Sequence, residues 1–193
     1  MNRVCVFCGS SEGRDPRYRE AAARLGPSLV RRGLGLVYGG AGVGLMRVLA
    51  DAVLAHEGSV IGVIPHGLAA REVAHRGLSE IRVVPSMHAR KALMAELSDA
   101  FLALPGGFGT FDELFECVTW AQLGIHRKPV ALLNVAGYFD NLARFLDDAV
   151  EEGFISPANR KLIAVSDEVD EALDLLAAYE APHGPAWVTT PAS

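Results

Sequence analysis

Three cysteines in 193 residues are too few for a disulfide framework. Two of them form Cys5-Val6-Phe7-Cys8, but this spacing runs along or just past a strand, where the two side chains point to opposite faces. They read as small buried residues, not a redox pair, and the lone Cys117 offers no second pair for zinc. The six histidines are scattered, with no His-x-x-x-His pair, so no metal site is expected. Positive charge is also scarce. A net charge of −5 gives no basic field for nucleic acid. No apolar run approaches the ~20 residues of a membrane span. Met1-Asn2-Arg3-Val4-Cys5 enters a strand-like run without a signal-peptide layout, so a cytoplasmic location is expected, with no nucleic-acid and no membrane partner.

What the chain has in quantity is glycine, 20 residues, concentrated at a few turns. The most informative stretch is Leu104-Pro105-Gly106-Gly107-Phe108-Gly109-Thr110-Phe111-Asp112-Glu113. The apolar run Ala100–Leu104 precedes it and the helical pattern Leu114, Phe115, Val118 follows, so the glycines sit at a strand-to-helix turn. Such a turn brings backbone N–H groups and a helix N-terminus to bear on one point, which suits a phosphate. The competing reading is purely local: Thr110-x-x-Glu113 matches a capping box, Thr110 as N-cap and Glu113 at N3. Two standard loops are excluded. No lysine follows the glycines as a Walker A loop requires, and Gly107-x-Gly109 runs on to Asp112 where a dinucleotide fingerprint needs glycine.

Taken in order, the pattern predicts strands over Val4–Phe7, Leu34–Tyr38, Val60–Ile64, Ile81–Val84, Ala100–Leu104, Val130–Leu133 and Leu162–Val165. Helices are predicted over Pro16–Arg31, from Leu45 to Leu54, and over Met87–Leu97, Gly109–Leu123, Tyr138–Glu151 and Glu168–Tyr179, with an irregular helix or loop from Leu68 to Gly77. Alternating strands and helices, with near-continuous apolar strands, predict an α/β fold: one Rossmann-like domain, residues 1–180, with a mostly parallel sheet covered by helices on both faces. A Pro-, Thr- and Ser-rich tail from 181 to 193 is expected to be loose. Three small-residue loops, Gly9-Ser10, Gly39–Gly44 and Pro105–Thr110, close three of the strands and so share one rim, where ligands of such sheets bind.

Two sets of side chains on that rim suggest chemistry. If Ser86 is an N-cap, Arg90 and Lys91 fall at a helix start, where cations are disfavoured by roughly 0.3–1 kcal/mol each. They read either as a solvated basic pair or as anion ligands. Glu113 and Glu116, three apart, share a helical face. The helix dipole and a nearby cation should keep Glu113 ionised, which suits stabilising an oxocarbenium-like centre or activating water.

Pro105-Gly106-Gly107-Phe108-Gly109-Thr110-Phe111-Asp112-Glu113 matches the PGGxGTxxE motif, and Met87-His88-Ala89-Arg90-Lys91 the MHxRK segment, of the Lonely Guy (LOG) family, formerly labelled lysine decarboxylase-like. Thr119–Gly124 and Gly39–Met46 also resemble family signatures, and the likeness runs from about residue 3 to 178. The resemblance implies a Rossmann-like homodimer that hydrolyses the N-glycosidic bond of nucleoside 5′-monophosphates, cytokinin riboside monophosphates and AMP, to free base and ribose 5-phosphate. It implies Arg90 and Glu113 as catalytic residues. It implies Glu72, Arg90, Lys91, Gly106, Gly107, Phe108, Gly109, Thr110, Phe111, Asp112 and Thr119 as substrate-binding residues. It implies no metal and no cofactor. Ala41 and Arg47 stand where the family usually has glycine and a small residue, which bears on substrate preference. The alternative is a non-enzymatic nucleotide or molybdenum-cofactor carrier using the same loop; an NAD oxidoreductase fails on both glycine loops.

Overall fold

The five inner strands of the sheet are apolar runs buried on both faces, and the two edge strands are only partly covered. In the computed structural model, which describes residues 1–69 and 74–181, the strands are β1 (Arg3–Phe7), β2 (Gly35–Tyr38), β3 (Val60–Pro65), β4 (Glu80–Val84), β5 (Ala100–Ala103), β6 (Val130–Leu133) and β7 (Ile163–Ser166). Between them run α1 (Pro16–Arg31), α2 (Gly44–Leu54), the single turn α3 (His66–Ala69), α4 (Met87–Glu96), α5 (Phe108–Gln122), α6 (Asp140–Glu151), the single turn α7 (Pro157–Arg160) and α8 (Val169–Ala177). A 3-10 turn over Val135–Gly137 precedes α6. Glu72 and all of the expected tail except Ala181 lie outside the described residues.

The strands form one sheet in the order β4-β3-β2-β1-β5-β6-β7, every pair parallel. Chain order reverses at β1, whose Cys5 pairs with Val37 on one side and Phe101 on the other. The crevice above that reversal is where an open parallel sheet binds ligand. Side chains alternate across the sheet. Val4 and Val6 join α1, α2 and α8 in one core; Cys5 and Phe7 join α4, α5 and α6 in the other. Cys5 and Cys8 fall in different cores, both buried and free, as the strand spacing required. The two edge strands are partly open, β4 at Ile81 and Val83 and β7 at Val165.

Local chemistry explains where the helices start. Asp15 caps α1, accepting from the Arg17 N–H at 2.9 Å, with Pro16 at the first helical position. Ser86 caps α4, accepting from the Ala89 N–H at 3.1 Å, which does put Arg90 and Lys91 near the helix start. The capping box at Thr110 is overturned. Helix α5 begins at Phe108 with Gly107 as an N-cap that has no side chain to offer. The Phe111 N–H already bonds the Gly107 carbonyl at 3.1 Å, and the buried Thr110 side chain packs over Gly106. Thr110 is thus inside the first turn and Glu113 in the second.

Candidate active site

Above the C-terminal ends of β1, β2 and β3, helices α4 and α5 bring Arg90 and Glu113 together. Both are only 8% exposed. Arg90 Nη1 lies 3.3 Å from Glu113 Oε1, and Arg90 Nε donates to the Val63 carbonyl of β3 at 3.1 Å. The guanidinium lies flat on Gly39, at the end of β2: a Cβ there would stand 1.9 Å from Arg90 Nη2. Gly39 is therefore fixed by close approach. The sequence showed it only as part of a rim loop, with no signal that an arginine 51 positions on would lie on it.

Burial changes the expectation for Glu113. Loss of water is the largest influence and raises its pKa, Arg90 opposes it, and the balance pushes the carboxyl from its ordinary 4.5 up to about 7. The carboxyl is not held ionised by its surroundings; near neutrality it is poised between its two forms. That is the range in which a general base works well.

Lys91, one residue on, faces a different set. Its ammonium lies 2.9 Å from Asp112 Oδ2 and 3.1 Å from Glu116 Oε2. Burial works to lower its pKa, but the two carboxylates outweigh that and hold it up. Glu113 and Glu116 do share one helical face, each meeting a cation of α4. A charged lysine so tied does not fit the Schiff base of a pyridoxal phosphate decarboxylase, which needs a free amine. Of the other lysines, Lys128 donates to the Ala95 carbonyl at 2.7 Å. Among the described residues no cluster of His, Cys, Asp or Glu could hold a metal ion.

The loop from Pro105 to Thr110 closes the same rim. Gly106 is pressed between Thr110 and the first loop: a Cβ would meet Thr110 Oγ1 at 2.1 Å and the Gly9 nitrogen at 2.9 Å. The first N–H groups of α5 have no carbonyl partner within their helix and no side-chain cap, so they and the helix dipole are left for an anion. Phe108 stands 94% exposed at the tip and Asp112 is exposed, whereas Phe111 is half-buried. The remaining expected residue, Thr119, is exposed on the fourth turn of α5, its hydroxyl donating to the Phe115 carbonyl at 2.7 Å. Arg47 lies on the exposed face of the first turn of α2 and Ala41 is buried, bridged to Ala74.

A family model described as "Possible lysine decarboxylase" matches residues 46–176. A cytokinin riboside 5′-monophosphate phosphoribohydrolase of Arabidopsis thaliana is 54% identical over 182 residues, 93% of this chain and 83% of that protein. A probable enzyme of the same name from Oryza sativa subsp. japonica is likewise 54% identical, over 94% of this chain and 74% of its own length. The chain belongs to this LOG family. Among solved structures, a molybdenum cofactor binding protein from Rippkaea orientalis superposes with a TM-score of 0.70, covering 92% of this chain and 97% of that one. At 20% identity that likeness shows the Rossmann-like fold alone.

Proposed function

We propose that this LOG-family chain hydrolyses the N-glycosidic bond of nucleoside 5′-monophosphates, cytokinin riboside monophosphates and AMP, releasing free base and ribose 5-phosphate. The observation that carries the proposal is the buried Arg90–Glu113 pair, 3.3 Å apart, on the rim that the glycine loop closes. The names of relatives at 54% identity support the same reading.

In the loop from Gly106 to Asp112 the backbone N–H groups of Gly107 to Thr110 bind the 5′-phosphate, a remote anchor that positions the ribose. The C1′–N bond then breaks with its electron pair passing to the base, leaving oxocarbenium character on the ribose. Ionised Glu113 stabilises that charge and takes a proton from the attacking water; the water oxygen, keeping its other proton, bonds C1′, and the proton held on Glu113 passes on through solvent to the departing base, restoring the carboxylate. Arg90 holds the carboxylate in place and favours its ionised form. Lys91 keeps Asp112 and Glu116 paired beside it. Glu72 and Thr119 are assigned to substrate by resemblance to the family alone. A carrier would not need a buried cation–carboxylate pair beside its phosphate loop, so the enzymatic reading is preferred.

The same reading includes a homodimer, for which Met87 and Phe115, 42% and 39% exposed on the neighbouring helices α4 and α5, supply apolar surface. Sedimentation at micromolar concentration should show twice the 20.6 kDa chain mass; a single species at that mass would refute it. It keeps the cytoplasmic location expected from sequence; among the described residues no helix is long and apolar enough to cross a membrane. The hydrolase proposal is tested by incubating purified protein with AMP and with isopentenyladenosine monophosphate and following release of free base. No release from either refutes it.

A further inference from the structure

We propose that Tyr138 is a positioning residue for the phosphate loop, fixing the peptide plane that aims the Gly107 N–H at the substrate phosphate. The proposal rests on the phosphate-binding role given to the loop above.

The loop's carbonyls are tied one after another. The Pro105 carbonyl accepts from the Gly9 N–H at 3.0 Å and the Gly107 carbonyl from the Phe111 N–H at 3.1 Å. Between them, the Gly106 carbonyl accepts from the Tyr138 hydroxyl. In a trans peptide the carbonyl and the next N–H point in opposite directions. Holding three successive carbonyls therefore orients the N–H groups of Gly106, Gly107 and Phe108. Two of the three restraints are backbone and come with the fold. Only the middle one depends on a side chain, and it acts on the plane flanked by two glycines, where rotation is least hindered. A flipped plane would turn a carbonyl oxygen, not an N–H, toward the anion.

Tyr138 is itself built into place. Asn134, at the end of β6, accepts from the Phe139 N–H and donates to Asp140 Oδ1, both at 2.7 Å. This staple closes a turn in which Ala136 and Gly137 take left-handed φ of 56° and 72°. For alanine that conformation is strained and persists only where surroundings enforce it. The tyrosine ring then meets Tyr18 edge-on, with centroids 5.6 Å apart, and Phe139 at 5.0 Å. Tyr18, Tyr138, Gly106 and Gly107 line one cleft together with Ser11 and Leu45. Nothing in the mechanism otherwise uses Tyr138.

The test compares wild type with Tyr138→Phe, which keeps the ring and removes the hydroxyl. Ribose 5-phosphate binding is measured by calorimetry, and kcat and KM for AMP by base release. The expected result is affinity for ribose 5-phosphate weakened at least about tenfold, KM for AMP raised by a similar factor, kcat changed less than threefold, and binding of unphosphorylated adenosine unaltered. A merely structural role would weaken both ligands alike and lower the melting temperature. Asn134→Ala, which frees the turn, should reproduce the KM effect, and the double variant should be no worse than the more affected single one. Unchanged ribose 5-phosphate affinity in Tyr138→Phe overturns the proposal and leaves the hydrolase reading intact. Wild type that binds ribose 5-phosphate but releases no base overturns the hydrolase reading, while the Tyr138 comparison stands. Wild type that does not bind ribose 5-phosphate overturns the loop assignment and the role of Tyr138 with it.

Discussion

Replacing Glu113 by Gln separates a buried titrating base from an inert packing residue, because the two predict opposite pH dependences. The wild-type carboxyl has a folded pKa of about 7 against an ordinary 4.5. Between those values the folded state binds more protons than the unfolded one, so stability falls as pH rises. The contribution is fully present below pH 4.5, is lost progressively as pH climbs toward 7, and stays lost above. The separation of the two pKa values corresponds to about 3 kcal/mol. The amide introduced by Glu113→Gln is neutral throughout. The difference in unfolding free energy, variant minus wild type, should therefore grow by about 3 kcal/mol from pH 4.5 to pH 8. Urea unfolding at several pH values measures it, and the difference cancels the other titrating groups. At pH 8 the variant should bind AMP at least as tightly as wild type, since a negative charge near the phosphate is gone. Base release should fall at least about a hundredfold, the lower end for an acid–base group. A pH-independent stability difference would refute the burial account; normal turnover in the folded variant would refute the catalytic one.

Other expectations follow from the same contacts. Arg90→Lys keeps the charge but not the planar fork that reaches Val63 and Glu113 at once, so kcat should drop at least tenfold with little change in melting temperature. Gly39→Ala puts a methyl group where Arg90 Nη2 now lies, and should abolish most activity while the sheet, monitored by circular dichroism, stays folded. The pH profile of kcat/KM for AMP should rise with an apparent pKa near 7 as Glu113 ionises. Arg90→Met should move that limb to higher pH by removing the opposing cation; an unmoved limb would detach the titration from Glu113.

The sequence carries the elements well where chemistry is local. Asp15-Pro16 announces α1, and Ser86 announces the helix bearing Arg90 and Lys91. Burial on both faces makes each inner strand a continuous apolar run. The single turn α7 is not legible from periodicity, although Ser156-Pro157 is a helix-start signal, because four residues are too few to show a repeat. At the site, the phosphate loop and both candidate catalytic residues are visible as motifs, but their mutual contacts are not. Arg90 and Glu113 are on different helices, and their contact depends on β3 and Gly39 beneath them. The sequence misleads on the ionisation of Glu113 because a helix dipole and a cation can be read from spacing, whereas depth of burial cannot. Tyr138 reaches Gly106 across 32 positions of chain, and its own neighbourhood reads only as a helix start.

The most direct test of the central claim, a phosphate-anchoring loop serving a buried carboxylate, is the ratio of kcat/KM for AMP to that for adenosine with the wild-type protein. The two substrates share the scissile bond and the base and differ only in the group the loop is proposed to bind. The account predicts AMP to be favoured by at least about a hundredfold, with ribose 5-phosphate recovered in step with adenine. Comparable values for the two would contradict it.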